Sequence, residues 1–321
     1  MKKYIKTLLY IIFIPVLYSL ILRVIFEIDI FSDFMKVMSL TFFMTVPFGI
    51  GILTIVFSSV EKVQSLAYRI LMPWVPIIVL CLITISFSIE GWACWIMIAP
   101  VFMLFGSLGG ITAGYFKLKK YRKNNRLNMS LAVLLPFVLA PLEKTIIIPT
   151  ATYKAYTYID IEAPGPTIWQ HVIRVTPIAK KEDRGTVTNY LGFPRPIKAE
   201  LNIAAVRGIR KAVFSKGLVF TEIVTEYQPQ QYMHFTISAN PYDIPSTAMD
   251  EHVVIGGQYF DVLDGTYQLQ RLSGKVYRLH LYSHFQLKTT FNFYAGWWAK
   301  WIMKDIQNNI LHVIKTRCEN L

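Results

Sequence analysis

The sequence predicts two domains of different kinds: a multi-span α-helical membrane domain, followed by an α+β domain in which an antiparallel sheet wraps around a long carboxyl-terminal helix. Three observations lead to this prediction. Long apolar segments fill residues 1–150, with the charged residues collected between them. From Tyr153 onward apolar residues recur with a period of two, as in strands. The last segment, 294–319, has the three- and four-residue spacing of an amphipathic helix.

The composition supports a division between residues 150 and 151. Of the 321 residues, 54% are hydrophobic and 17% are charged, whereas charged residues make up about a quarter of an ordinary soluble domain. Residues 1–150 contain 14 Lys and Arg against 6 Asp and Glu, a net charge of +8, and residues 151–321 contain 19 against 14, a net charge of +5. A single soluble domain is therefore excluded, and the length is sufficient for two domains.

Five segments of the first domain are predicted to cross a membrane, because each approaches the roughly 20 apolar residues that a span requires. The fifth has the shortest apolar core, since Glu143 and Lys144 follow it directly. The five segments are residues 8–26, 34–58, 66–87, 92–116 and 128–150.

The basic residues of this domain predict its orientation. They precede the first segment, flank the gap between the second and third, and fill residues 117–126 between the fourth and fifth. Cytoplasmic loops carry an excess of Lys and Arg, so the amino terminus is predicted in the cytoplasm and, after five crossings, the second domain outside it. We expect an integral protein of a bacterial cell membrane whose partner here is the lipid bilayer, not nucleic acid.

The strands and helices of the second domain follow from periodicity and from turn residues such as Asp264-Gly265 and Ser273-Gly274. A short helix is predicted at 167–175 and the long helix at 294–319, whose apolar face should cover the concave side of the sheet. The predicted strands are residues 153–162, 212–214, 218–227, 232–238, 259–263, 265–272 and 276–287.

The register of the last hairpin follows from burial. Apolar residues occupy the odd positions of the last strand, which should therefore face the helix. A three-residue connection at Ser273-Gly274 places Tyr267 and Leu269 opposite Leu281 and Leu279, whereas a two-residue connection would place glutamines there. The three-residue connection is thus predicted.

Catalytic and metal motifs are sparse. The weak acid–base candidates are Glu222, Glu226 and His234, each of which is more often a solvated surface group. His280 and His284 lie on one strand face about 13 Å apart, too far to share a zinc ion. Cys81, Cys94 and Cys318 form no disulfide framework, and we expect no metal site and no cofactor.

The first and last elements of the second domain carry a family resemblance. The opening strand and helix, YIDIEAPGPTIWQHVIRV at 158–175, and the closing helix, YAGWWAKWIMKDIQNNILHVIKTRCE at 294–319, resemble the helix-grip superfamily known as SRPBCC, with its START-like and polyketide cyclase-like members. Residues 210–229 and 260–274 are similar as well, so about half of the chain takes part. The resemblance implies a tunnel between sheet and helix that binds lipids, sterols, polyketides or other apolar ligands. It implies no single reaction.

The leading hypothesis is therefore a membrane-tethered domain that binds a hydrophobic or lipid-like small molecule. A cyclase- or hydrolase-type enzyme with an inward carboxylate, and a structural or signalling protein that docks an unidentified protein partner, remain alternatives. Trp297 and Trp301 are candidates for a gate at the tunnel mouth or on the bilayer-facing side, since Trp prefers the membrane interface. The expected ligand-binding residues are Tyr267, Leu269, Leu279, Leu281, Phe285, Trp298, Ile302 and Ile306.

Overall fold

The computed structural model describes residues 2–27, 39–123, 134–145, 150–239, 257 and 259–320. The chain divides into two compact units, Met1–Ile148 and Pro149–Leu321. The boundary between these units lies two residues from the domain boundary expected from composition. The first is called the membrane unit below, and the second the sheet unit.

The membrane unit is helical throughout its described residues. Four stretches are long and apolar enough to cross a membrane, Leu9–Phe26, Leu40–Phe57, Leu66–Ser86 and Trp92–Lys119, and they correspond to the first four predicted segments. The helices are α1 (Lys2–Glu27), α2 (Leu40–Phe57), α3 (Val60–Val63), α4 (Leu66–Leu71), α5 (Trp74–Ser86), α6 (Trp92–Lys123) and α7 (Leu135–Lys144).

Two predicted spans differ from single continuous helices. The third is interrupted at Met72-Pro73, between α4 and α5, where proline removes a backbone donor and disfavours a helical residue before it. The fifth, 128–150, lies partly outside the described residues, as do residues 34–38 of the second. The described part of the fifth is the ten-residue helix α7.

Glycines allow α2 and α6 to pack closely. A side chain at Gly51 would overlap the carbonyl oxygen of Gly106, and one at Gly109 would overlap that of Phe48. Small residues permit this close approach between membrane helices, where packing replaces the hydrophobic driving force. Packing therefore accounts for these glycines.

The carboxyl-terminal end of α2 is held by Lys117 of α6. The Lys117 ammonium group donates to the carbonyl oxygens of Ile55 at 3.0 Å and Val56 at 2.8 Å, and also to that of Ser58. A cation at this position satisfies the last carbonyl groups of a helix and interacts favourably with its dipole. Lys117 thus marks one end of α2.

The amino-terminal end of α2 is held by Glu143 of α7. The Glu143 carboxylate accepts from the backbone N–H groups of Leu40 and Thr41, each at 2.8 Å. The two ends of this 18-residue helix are about 27 Å apart. Lys117 and Glu143 therefore lie at opposite ends of α2.

The sheet unit confirms the predicted α+β helix-grip architecture. Its elements are β1 (Ala151–Glu162), α8 (Gly165–Ile173), β2 (Arg174–Val175), α9 (Val187–Tyr190), β3 (Pro196–Leu201), β4 (Ile209–Phe214), β5 (Val219–Gln228), β6 (Tyr232–Ala239), β7 (Phe260–Ser273), β8 (Val276–Leu287) and α10 (Asn292–Glu319). Within the described part of the chain the strands form one antiparallel eight-stranded sheet in the order β1-β8-β7-β6-β5-β4-β3-β2, and α10 packs on the concave face.

The register predicted for the last hairpin is confirmed, with Tyr267 opposite Leu281 and Leu269 opposite Leu279. The strand break predicted at Asp264-Gly265 is wrong, because β7 runs through this pair with a bulge. A side chain at Gly265 would clash with the ring of Phe235, so the glycine permits a close approach instead of a turn. The short strands β2 and β3 were not predicted.

Two regions of α10 contact the sheet in different ways. The carboxyl-terminal half buries Leu311, Ile314 and Cys318 in the main apolar core with Trp169, where each large apolar side chain contributes about 1.5–3 kcal/mol. The amino-terminal half packs Ala295, Ala299 and Met303 on Phe285 and Leu287 of β8.

The segment between β2 and β3 is fastened to α10 by Arg317. Its guanidinium group donates to both carboxylate oxygens of Glu182, at 2.8 and 2.9 Å, and to the carbonyl oxygens of Thr176 and Pro177, each at 2.9 Å. The hydrogen bonds that Arg317 donates to the Glu182 carboxylate are the main reason that the pKa of Glu182 is lowered from 4.5 to about 2. Arg317 thereby fixes the position of this segment over the sheet unit's interior.

We predict that Glu182 makes the sheet unit acid-sensitive between pH 4.5 and about 2. A carboxyl group with a lowered pKa stabilises the folded state above its unfolded pKa, and this stabilisation is lost as the pH falls toward its folded pKa. Glu182→Gln should cost about 1.5–3 kcal/mol at pH 7 and flatten the acid decline in melting temperature, measured on the full chain in detergent. Glu200→Gln, which changes an exposed carboxylate, is the control. If both variants declined in parallel with the wild type, this role of Glu182 would be refuted.

Candidate functional site

A cavity of about 120 Å³ lies between the sheet and α10. Its walls are mostly apolar, with side chains from the sheet, from α10 and from the segment after β2 that Arg317 fastens. An engineered apolar cavity of about 150 Å³ accommodates benzene, so this cavity has the volume of a single ring. The lining includes Ile178, Phe193, Pro194, Phe214, Phe220, Phe235, Met303, Ile306 and Ile310.

A buried ion pair forms part of the cavity wall. Arg210 of β4 and Glu222 of β5 are directly paired across the two strands, and Nη1 of Arg210 lies 2.5 Å from Oε2 of Glu222. Their side chains are only 4% and 7% exposed. The guanidinium carbon also lies 5.8 Å from the ring centre of Phe235 and 5.7 Å from that of Tyr267, which adds cation–π stabilisation.

Strand alternation explains why this pair faces inward. In β4 the buried positions are Arg210, Ala212 and Phe214, and in β5 they include Phe220 and Glu222. Successive side chains of a strand point to opposite faces, so the two charged residues share the inward face with apolar neighbours. The strand pairing then brings them together.

Burial and pairing act against each other on the charges of this site. Burial raises the pKa of Glu222, while the Arg210 guanidinium opposes this rise. Burial acts to lower the pKa of Arg210, but Glu222 and Tyr267 outweigh it and raise that pKa. Burial also raises the pKa of the Tyr267 phenol. Arg210 therefore remains the cation of the site, and Tyr267 remains protonated.

One hydrogen-bond donor of this site has no acceptor among the residues that the structure describes. Nε of Arg210 is buried and makes no hydrogen bond to any described residue, and a buried donor without an acceptor costs about 1–3 kcal/mol. Because Arg210 lines the cavity, an acceptor oxygen of a molecule in the cavity would supply the hydrogen bond.

A second polar group on the cavity wall has its hydrogen bonds supplied within the protein. Gln307 of α10 accepts from Thr157 at 3.2 Å and donates to Ser283 at 3.1 Å. Both Gln307 and Ser283 line the cavity. This network ties α10 to β1 and β8, and its role is to position the helix.

The residues expected to bind the ligand are placed in different surroundings. Tyr267, Leu281 and Ile306 line the cavity. The others lie outside its lining: Leu269 and Leu279 in the main core, Phe285 in the cluster beneath the start of α10, and Trp298 and Ile302 half-buried on α10.

The three acid–base candidates are also separated. Glu222 lines the cavity, whereas a bulge after Val224 shifts Glu226 to an exposed position. His234 lies on the outer face of β6, where Nδ1 is 2.8 Å from Oγ1 of Thr266. Among the residues that the structure describes, no group of three or more His, Cys, Asp or Glu side chains could hold a metal ion.

Sequence reasoning missed Arg210 as a site residue. The strand was predicted to start at Ala212, the first residue of an apolar run, whereas β4 begins at Ile209. The alternation that places Ala212 and Phe214 inward also places Arg210 inward. Extending that alternation by two residues was the available signal.

Solved structures that resemble the chain do so over its carboxyl-terminal half. They include a truncated norcoclaurine synthase from Thalictrum flavum, 11% identical with a TM-score of 0.31, covering 52% of this chain and 96% of its own. A START superfamily protein from Mycobacterium smegmatis is 10% identical with a TM-score of 0.34, covering 52% and 97%. The Zhui aromatase/cyclase from a Streptomyces species is 12% identical with a TM-score of 0.33, covering 53% and 95%.

No family model matches the chain, and no curated protein matches it. Two of these solved structures are named as a START superfamily protein and an aromatase/cyclase. At these identities and scores, the helix-grip assignment depends on the strand order and closing helix of this chain.

We predict that Glu222→Gln destabilises the sheet unit by about 3–5 kcal/mol, because it leaves the charge of Arg210 buried without a counter-charge. The double variant Arg210→Met with Glu222→Leu should recover most of this loss, since apolar replacement of a buried pair is often neutral. Thermal unfolding of the full chain in detergent measures both effects.

The matched control is Asp160→Asn, which breaks the exposed pair with Arg278 on the same sheet. This change should cost little, because exposed ion pairs contribute little. A double variant as unstable as Glu222→Gln would show that the loss arises from packing and not from the unpaired charge.

Proposed function

We propose that the sheet unit binds a small, mostly apolar molecule that carries one hydrogen-bond acceptor, and that the membrane unit tethers this binding domain to a bilayer. The observation that carries the proposal is the apolar cavity with the buried Arg210–Glu222 pair in its wall and an unpartnered donor on Arg210. Cavities that bind small molecules combine apolar linings with a few placed polar groups.

The chemistry of the cavity limits the ligand. Its volume suits a single ring or a short chain, and each methylene removed from water contributes about 0.8 kcal/mol. The pairing of Arg210 with Glu222 leaves the site with little net charge. A neutral carbonyl or hydroxyl oxygen is therefore favoured over a second carboxylate beside Glu222.

The proposal predicts that acetophenone binds more tightly than toluene. A hydrogen bond from a charged donor contributes about 1.5–3 kcal/mol, which corresponds to roughly 10- to 100-fold in affinity. Ligand-observed NMR on the full chain in nanodiscs, with empty nanodiscs subtracted, measures both affinities. In the double variant Arg210→Met with Glu222→Leu the preference should disappear.

The location of binding is tested by filling the cavity. Ile306→Phe places extra volume in the cavity and should abolish binding of both probes, whereas Ile302→Phe, one turn earlier on α10 and outside the lining, should not. Equal binding by both variants, or no preference for acetophenone in the wild type, would contradict the proposed site.

A second candidate function is acid–base catalysis by Glu222. It is favoured by the position of this carboxyl group in the cavity wall and by the burial that raises its pKa, since catalytic carboxyl groups are often tuned in this way. Binding is preferred because Glu222 is engaged by Arg210 at 2.5 Å. Mass spectrometry of compounds retained by the purified chain distinguishes the two functions: catalysis requires that a retained compound be altered over time, and that Glu222→Gln stop the change.

The membrane tether rests on the four apolar helices and on the contacts at the ends of α2. Lys117 and Glu143 hold opposite ends of that helix, as expected if a fifth segment crosses the bilayer between them. Arg23, a basic residue on the side predicted to be outside, is paired with Glu90 at 2.5 Å, so it does not oppose the orientation set by the basic loops. These contacts support a sheet unit outside the cytoplasm.

The orientation is tested by cysteine labelling in intact cells. Tyr190→Cys introduces an exposed thiol on the sheet unit, and Lys119→Cys introduces one in the basic loop region. A membrane-impermeant maleimide should label position 190 in intact cells and position 119 only after lysis, relative to the parent chain. The reverse pattern would place the sheet unit in the cytoplasm.

A further inference from the structure

The exposed face of α10 begins with an aromatic stripe, defined as Phe293, Trp297 and Trp301. These side chains are 77%, 58% and 44% exposed. They recur at intervals of four residues, so they lie on one face, and the stripe is about 12 Å long. Exposure of three large aromatic rings in a row is unusual for a surface in contact only with water.

We propose that the aromatic stripe inserts into the headgroup region of the bilayer to which the chain is tethered. The inference rests on the proposed membrane tether and is independent of the ligand. Trp combines an apolar ring with an N–H donor and is enriched at membrane interfaces. The rings of Trp297 and Trp301 stack at 6.0 Å, which presents a broad apolar surface in place of two separate side chains.

The charges on this face suit a lipid surface. Lys300 and Lys304 are exposed beside the stripe, and the next exposed residue along the helix is Asn308. The first carboxylate within α10, Asp305, accepts hydrogen bonds from Thr186 and Thr188 and is thereby turned toward the segment after β2. Aromatic rings flanked by lysines match the boundary between acyl chains and anionic headgroups.

The stripe lies close to the point where the chain enters the sheet unit. Only five residues of sequence lie between Thr145, after α7, and Ala151 at the start of β1. Tyr153, two residues further, contacts the beginning of α10: its hydroxyl donates to the carbonyl oxygen of Asn292 at 3.0 Å. The stripe therefore starts beside the first strand after the tether.

Another exposed apolar patch provides a matched comparison. Ile203, Val206, Ile209 and Ile223 are exposed around the β3–β4 connection. This patch has no aromatic residue, and it lies about 50 residues or more along the chain from the start of β1. It tests whether exposed apolar area alone is enough for contact with lipid.

The experiment uses the full chain in vesicles of equal parts phosphatidylcholine and phosphatidylglycerol. A polarity-sensitive fluorophore is attached at Phe293→Cys or Trp297→Cys, and at Val206→Cys or Tyr190→Cys as controls, with the parent chain labelled in parallel for background. Doxyl-labelled lipid quenches fluorophores in the bilayer, and iodide quenches those in water. Flotation with the vesicles tests the tether separately, and toluene binding tests the cavity separately.

We expect lipid quenching at 293 and 297 and iodide quenching at 190 and 206. Replacing Lys300 and Lys304 by Gln should reduce lipid contact about fivefold per charge in these vesicles, the equivalent of the attraction between one basic residue and an anionic surface, and should have no such effect in phosphatidylcholine alone. Iodide quenching at 293 and 297 would overturn the proposal. Protection there from both quenchers would overturn it as well, because it would show that a second copy or another protein covers the stripe.

Discussion

The packing of α10 on the concave face of the sheet is the constraint on which the rest of the sheet unit depends. The contact is tight at two places: Leu311 and Ile314 enter the main core, and Ala295 and Ala299 lie against Phe285. Between these places the sheet presents Arg210 and Glu222, whose charged groups satisfy each other across two strands. Because the helix is supported on either side of this pair, a cavity persists between them. A closely packed interior would ordinarily fill such a space.

The buried ion pair is difficult to explain by stability alone. Removing two charges from water costs several kcal/mol each, and apolar side chains of similar volume often replace a buried pair without loss. The strands around Arg210 offer such apolar side chains at neighbouring inward positions. A charged pair at this place, with one donor of Arg210 that has no acceptor among the described residues, agrees with the proposed recognition of a molecule in the cavity.

The sequence predicts which side of the sheet a strand residue faces more reliably than it predicts which residues line the cavity. Alternation in β8 correctly identified Leu279 and Leu281 as inward residues, but the position of α10 decides that only Leu281 reaches the cavity. Glu226 is exposed because the bulge after Val224 reverses the alternation that places Glu222 inward, and no residue type marks a bulge unambiguously. Asp264-Gly265 shows the same limit, because a glycine required by a neighbouring ring looks like a glycine required by a turn. These features depend on residues distant in sequence.

One face of α10 lines the cavity, and the opposite face carries exposed tryptophans. Met303 and Ile306 line the cavity, and Trp301 lies less than two turns away on the exposed face. Neither Trp297 nor Trp301 belongs to the cavity lining, so these residues could influence a ligand only by moving the helix. Regular backbone hydrogen bonds make a helix of 28 residues move as one body over such short distances. The Gln307 network opposes that movement, because it ties the helix to β1 and β8 just beyond Ile306. A displacement of α10 would therefore have to break the hydrogen bonds of Gln307, which hold this part of the cavity wall in place.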